Sequence, residues 1–237
     1  MSVLTRRGLL ASFAIIPFAG CQSGEKAKVR YRVIASFEVD GRPIEASTVM
    51  EIHYARVTKS LIGAGGATKL YGEALIADLP QKGTLYILPV EHPPQASLDT
   101  VYEYAILSTF GIRNSIGGLS DADFDALRNA KGRRAFNLRN TSRLPAFVAF
   151  SSEKNPKAIF EVDPHRVGEH FPGVRFSGLE IEITNDPITN HLRERLPWLH
   201  TRKQVFERAP PGQHRPESQR PIGYLLTRAH FFGDGSR

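Results

Sequence analysis

Between Val29 and Val39 every odd position is apolar (Val29, Tyr31, Val33, Ala35, Phe37, Val39), while Lys28, Arg30, Arg32, Ser36 and Glu38 occupy even ones. Successive side chains of a strand point to opposite faces, so this period of two predicts a strand with one buried face. Asp40-Gly41 is a turn dipeptide, and Ile44, Ala46, Thr48, Met50, Ile52 and Tyr54 alternate again after it. The two runs therefore predict an antiparallel hairpin. Lys69 to Leu79 and the almost wholly apolar Leu85 to Val90 predict two further strands.

Helical signals follow. Ser97 can cap a helix in which Leu98, Val101, Tyr102, Ala105 and Ile106 stay largely on one side, stopped by Gly111. Ser120 with Asp123 resembles a capping box with Asp in place of Glu, opening a short helix through Phe124 and Leu127 to Gly132. Ala146 to Phe150 and Ala158 to Val162 flank the turn segment Glu153-Lys154-Asn155-Pro156, which predicts a second hairpin. Val174 and Phe176 are apolar on one parity and Leu179, Ile181 and Ile183 on the other, so a bulge at Gly178 is needed to bring all five to one face. Asn185-Asp186-Pro187 then reads as a helix start, with Ile188, Leu192 and Leu196 recurring every four residues until Pro197. This order, with grouped rather than alternating elements, predicts an α+β fold with a mainly antiparallel sheet of about six to seven strands and about three helices. No internal repeat is visible, which argues against solenoids and propellers.

The first twenty residues follow neither period. Arg6 and Arg7 precede a stretch from Gly8 to Ala19 that carries no charge, and Cys21, the single cysteine, stands directly after Ala19-Gly20. A positive start, a short apolar run and small residues form the pattern of an export signal, and the run is too short to span a bilayer, which takes about 20 apolar residues. The segment resembles the twin-arginine type of bacterial lipoprotein signal, although Phe18 stands where an aliphatic residue is expected. That resemblance implies cleavage before Cys21, a diacylglyceryl group on its thiol, and translocase recognition of Arg6 and Arg7. Gln22, in place of an aspartate, points to the outer rather than the inner membrane. Two other readings use the same residues: a secretory signal cut after Cys21, and a buried N-terminal helix of a cytosolic protein.

The implied organisation is a signal over 1–20, a lipidated tether over 21–28, a single α+β domain over 29–200 and a tail over 201–237. Without a second cysteine the domain cannot form an internal disulfide and must be held by its core, which its length allows. The formal charge of +7 becomes +5 when Arg6 and Arg7 leave, and +4 of that lies after His200. Pro210, Pro211, Pro216 and Pro221 accumulate in the same tail, so much of it is expected to be extended or disordered. The apolar patch Ile222 to Phe232 is the exception, suited to docking on the domain or on a partner.

Catalytic signals are weak throughout. Gly63-Ala64-Gly65-Gly66 lacks both the Lys-Ser/Thr of a phosphate-binding loop and the last glycine of the dinucleotide pattern, and reads as a hairpin loop. Asp121, Asp123 and Asp125 have the spacing of calcium-loop ligands, but Ala126 and Gly132 replace the glycine and glutamate that loop requires. Neither the eight histidines nor the sole cysteine fall in a metal or nucleophile motif, so no metal and no cofactor is expected. Glu180 and Glu182 share a strand face about 7 Å apart, a spacing common on solvated strands. Arg128, Lys131, Arg133, Arg134, Arg139 and Arg143 form the most suggestive cluster, fitted to phosphate, an anionic headgroup or another anionic envelope component. No aromatic residues interleave it at a stacking spacing, so nucleic acid is not expected. The expectation is an exported, lipid-anchored binding module, attached to a membrane through Cys21 and meeting an anionic or protein partner. The alternatives are a periplasmic hydrolase or transferase whose carboxylates and histidines meet only in the fold, and a structural subunit of an envelope complex.

Overall fold

Strands β1 (Lys26–Val39) and β2 (Arg42–Val57) form the expected hairpin, in register from Lys26 opposite Ala55 to Val39 opposite Arg42. Asp40 and Gly41 both adopt positive φ, at 48° and 78°, as a two-residue turn matched to strand twist requires. These positions come from a computed structural model, which describes residues 26–57, 65–91, 101–112, 118–136, 145–201, 206 and 221–233. Arg6, Arg7, Cys21, Gly63, Ala64, Ser97, Arg139, Arg143 and most of the 201–237 tail lie outside the described residues.

Lys69 to Leu79, expected as one strand, divides. β3 (Gly65–Tyr71) pairs with β2, whereas β4 (Leu75–Leu79) pairs with β5 (Gly83–Glu91). The chain changes sheets at Gly72, whose φ of 125° is barred to most side chains, and where a Cβ would lie 2.9 Å from Met50 Cγ. Among the described residues, nine strands thus form two antiparallel sheets. One has the order β3-β2-β1-β9-β6, with β6 (Arg133–Ala135) and β9 (Val174–Ile183); the other runs β4-β5-β7-β8, with β7 (Pro145–Phe150) and β8 (Ile159–Glu161). The α+β class is as the sequence indicates.

The main core lies between the sheets, where Tyr31, Val33 and Phe37 of β1 join Leu75, Ile87, Phe147 and Ile181. Helix α1 (Val101–Thr109) adds Tyr102, Ala105 and Ile106 to it, and α2 (Asp121–Asn129) adds Phe124 and Leu127. The capping box is present: Asp123 N–H donates to Ser120 Oγ at 3.3 Å and Ser120 N–H to Asp123 Oδ2 at 2.8 Å. The bulge is present too, since Gly178 pairs with Ser36 and Phe176 with Phe37, leaving Ser177 without a partner position.

β5 reads as continuously apolar because its sheet is covered on both faces. Leu85 and Ile87 enter the main core, while Tyr86, Leu88 and Val90 enter a second one with Trp198, Leu199, Phe206, Ile222, Leu226, Phe231 and Phe232. The patch from Ile222 to Phe232 therefore docks back on its own domain, through α5 (Ile222–Leu225) and a 3-10 turn at Arg228–Phe231.

The helix expected from Ile188 begins later. Only α3 (Leu192–Arg195) forms before Pro197, followed by α4 (Trp198–Thr201). Competing bonds claim the preceding residues: the carbonyls of Asn185 and Asp186 accept from Arg30 Nη1 at 3.1 and 3.2 Å. Thr189 then exchanges bonds with the backbone of Val49, giving its N–H to Val49 O at 3.1 Å and accepting from Val49 N–H on Oγ1 at 2.8 Å. The buried carboxylate of Glu73 caps His191 and Leu192, which fixes where the helix starts.

Candidate functional site

The odd positions of β1 are committed to the core, so Lys28, Arg30 and Arg32 face outward, and the register places side chains of three strands in rows. Lys28 lies opposite His53 and His53 opposite Lys69; Arg30 lies opposite Glu51 and Glu51 opposite Tyr71. Cross-strand partners share a face within about 5 Å, which makes these six residues one surface.

Glu51 organises that surface. It is 4% exposed, and its Oε1 meets Lys28 Nζ at 3.0 Å and His53 Nε2 at 2.8 Å. Its Oε2 accepts from Arg30 Nε at 3.0 Å and Nη2 at 2.8 Å, a side-on pair. Burial works against ionising this carboxyl, but hydrogen bonds from His53, Lys28 and Arg30 outweigh burial and hold it at about 2. The His53 ring packs on Tyr71 with centroids 4.6 Å apart, and Lys69 Nζ stands 6.0 Å from the Tyr71 ring.

At the end of the sheet where β1 begins, these rows border a cleft of about 460 Å³ lined by Lys26, Ala27, Lys28, His53, Tyr54, Ala55, Thr68 and Lys69. Three ammonium groups and an imidazole border it, with Ala55 and the lysine stems as its apolar part. Lys28 shares Glu51 with Arg30, whereas Lys26 and Lys69 form no ion pair among the described residues. Chemically, such a cleft can hold a phosphate or carboxylate between the ammonium groups.

Of the basic cluster read from the sequence, the described arginines do not share one surface. Arg128 pairs with Asp125 at 2.7 Å and lies over Phe124. Arg133 bonds Glu180 at 3.0 Å and Glu45 at 2.7 Å on the outer sheet face. Arg134, one residue on and of opposite parity, lies 4.9 Å over Phe110. Lys131 is exposed, and Arg139 and Arg143 lie outside the described residues. Arg128 does reach the cleft margin, donating from Nη2 to Lys26 O at 3.3 Å.

The carboxylates considered for catalysis are likewise occupied. Glu180 is held by Arg133, and Arg32 bonds both Glu182, at 2.9 Å, and Asp186. His53 is bound to Glu51, and neither Glu180 nor Asp186 lines the cleft that His53 borders. A second cleft, also about 460 Å³, collects Glu161, Asp163, Arg166, Glu169 and His170 around Pro145 and Phe147. There Arg166 bridges Asp163 at 3.0 Å and Glu169 at 3.2 Å, and the His165 N–H with that guanidinium holds the Asp163 carboxyl below its usual range. Among the described residues no group of three or more His, Cys, Asp or Glu has the arrangement of a metal site.

The lysine cleft escaped sequence analysis in part because β3 reaches β2 across residues 58–64, and no local signal sets that register. The Lys28–His53 and Arg30–Glu51 pairs were legible, because a two-residue turn at Asp40-Gly41 fixes them. The chain matches no protein-family model, no curated protein and no solved structure.

Proposed function

We propose that the chain is an exported, lipid-anchored envelope protein whose domain works by binding an anionic group in the cleft of Lys26, Lys28, His53 and Lys69. The observation that carries the binding half is the pair of lysines, Lys26 and Lys69, that rim the cleft without an acidic partner among the described residues. Charges that serve only the fold are expected to be matched, as Arg30, Arg32 and Arg133 are. The anchor half is supported by Arg6, Arg7, the uncharged run and Cys21. Among the described residues no helix is long and apolar enough to cross a membrane, so attachment in this reading depends on the lipid.

Replacing Cys21 by Ala tests the anchor: the variant leaves the membrane fraction, and continued association of the full-length protein rejects the reading. The cleft is tested with inorganic pyrophosphate as probe, which binds the native chain and is lost from the Lys26→Gln, Lys69→Gln double variant.

A periplasmic hydrolase or transferase draws on the second cleft, where carboxylates and His170 meet. Its Asp163 is held ionised and its arginine is spent on two acids, an arrangement suited to fixing a turn rather than moving a proton. A subunit docking through Phe231 and Phe232 has lost that surface, since both rings are buried in the second core.

A further inference from the structure

The site's position along β1 says more than its charge. β1 runs fourteen residues, about 45 Å from end to end, and the lysine cleft lies at its N-terminal end. At the opposite end, by the Asp40-Gly41 turn, Lys82 pairs with Asp40 at 3.1 Å and Arg175 with Glu38 at 2.5 Å, and only Arg42 stands there without an ion pair among the described residues. Lys131 belongs to the cleft end, because its neighbour Gly132 accepts from Ile183 N–H beside the Thr184 bond to Arg30 O. Two lysines without an ion pair among the described residues, Lys26 and Lys69, thus stand together where the chain enters the domain.

Only five residue steps separate Cys21 from Lys26, so a lipid on Cys21 keeps Lys26 within about 18 Å of the headgroups. At that tether length a contact between domain and bilayer is intramolecular, at millimolar effective concentration for short linkers, and weak sites fill. We propose that the cleft takes the phosphate of an anionic phospholipid from the membrane that anchors Cys21, and so holds the domain in one orientation on it. This rests on the lipid-anchor reading above. Lys26 and Lys69 grip the phosphate from either side, and Ala55, which shares their face, offers an apolar contact for the glycerol backbone.

The test uses the acylated protein extracted from its own membranes and placed in vesicles of phosphatidylcholine with or without phosphatidylglycerol. Lysine labelling by acetic anhydride is then read residue by residue, with the remote Lys154 as internal reference. Phosphatidylglycerol is expected to slow labelling of Lys26 and Lys69 about fivefold or more while leaving Lys154 unchanged. In the Lys69→Gln variant the protection of Lys26 falls while the thermal melt stays as in the native chain. Equal labelling in the two vesicle types overturns the proposal, as does equal protection by millimolar inorganic phosphate in neutral vesicles, which would make free phosphate the ligand. The mass of the Cys21 peptide decides the anchor separately. An unmodified peptide rejects the lipid-anchor reading and this proposal together, whereas an acylated one with equal labelling rejects the proposal alone.

Discussion

Glu73 accepts a hydrogen bond from the backbone N–H of Leu192 at 3.1 Å, although 118 other residues lie between them in the chain. The carboxylate also accepts from His191 N–H, and it stands 2% exposed at the step where the chain crosses between sheets. One buried side chain thus ties the sheet crossover to the start of α3, and through α3 to the second core.

Burial pushes the Glu73 carboxyl above its ordinary value, and the two N–H bonds recover only part of that cost. A raised folded-state value means that the folded protein binds the proton more tightly. Stability from this group is therefore greatest below 4.5 and declines as pH rises through the folded value. Gln keeps the accepting oxygen and has no charge to bury, so Glu73→Gln is expected to fold and to lose this pH dependence. Glu73→Ala strands two amide donors and is expected to cost about 2 kcal/mol or more in urea unfolding.

Glu51 has the opposite sign. Its folded value of about 2 lies below the ordinary 4.5, so the unfolded chain takes up the proton first as pH falls. The stability it contributes is complete above 4.5 and is lost as pH drops through about 2. Lys28 is 58% exposed and Arg30 30%, so solvent screens the pairs and the contribution is about 1–3 kcal/mol. Glu51→Gln is expected to lower unfolding free energy by that amount at pH 7, with the gap to the native chain closing near pH 2.

Local signals carried much of the architecture. The first hairpin, the Ser120–Asp123 box and the Gly178 bulge each depend on residues within a few positions of one another, and each is found where the pattern put it. Lys69 to Leu79 also held a warning, because the apolar parity changes between Leu70 and Leu75 across Gly72. β6 had none: its three residues are all exposed and owe their extended form to pairing with β9. The segment before α3 ran against a helical pattern because Arg30, Val49 and Glu73, all distant in sequence, claim its polar groups. The lysine cleft failed to show for the same reason, since Lys69 reaches Lys28 only through a register set in three dimensions.

Tyr102 is fully buried between the rings of Tyr31 and Phe136, at 6.4 and 6.2 Å, and its hydroxyl finds no hydrogen-bond partner among the described residues. Removing an unsatisfied buried hydroxyl while keeping the ring relieves a desolvation cost. Tyr102→Phe is expected to raise stability by about 1 kcal/mol, read as a higher urea midpoint with an unchanged slope.

Phe231 is the sharpest test of the C-terminal layer. Its ring is fully buried, stacked on Phe206 at 5.8 Å and close to Phe150 and Tyr86, each at 6.4 Å. Its carbonyl also accepts from Ala74 N–H at 2.9 Å, and Gly233 N–H donates to Gly72 O at 3.0 Å, so the segment adds a short ladder to the sheet crossover. Truncating this ring removes apolar area and leaves a cavity beneath β5 and β7, which costs about 3–5 kcal/mol in a well-packed core. Phe231→Ala is therefore expected to lower the melting temperature by several degrees or more and to speed proteolysis after Pro221. Deletion of 221–237 exposes Tyr86, Leu88 and Val148 together and is expected to yield aggregated protein. A deletion variant that melts like the native chain would show that the C-terminal segment adds nothing to the stability of the second core.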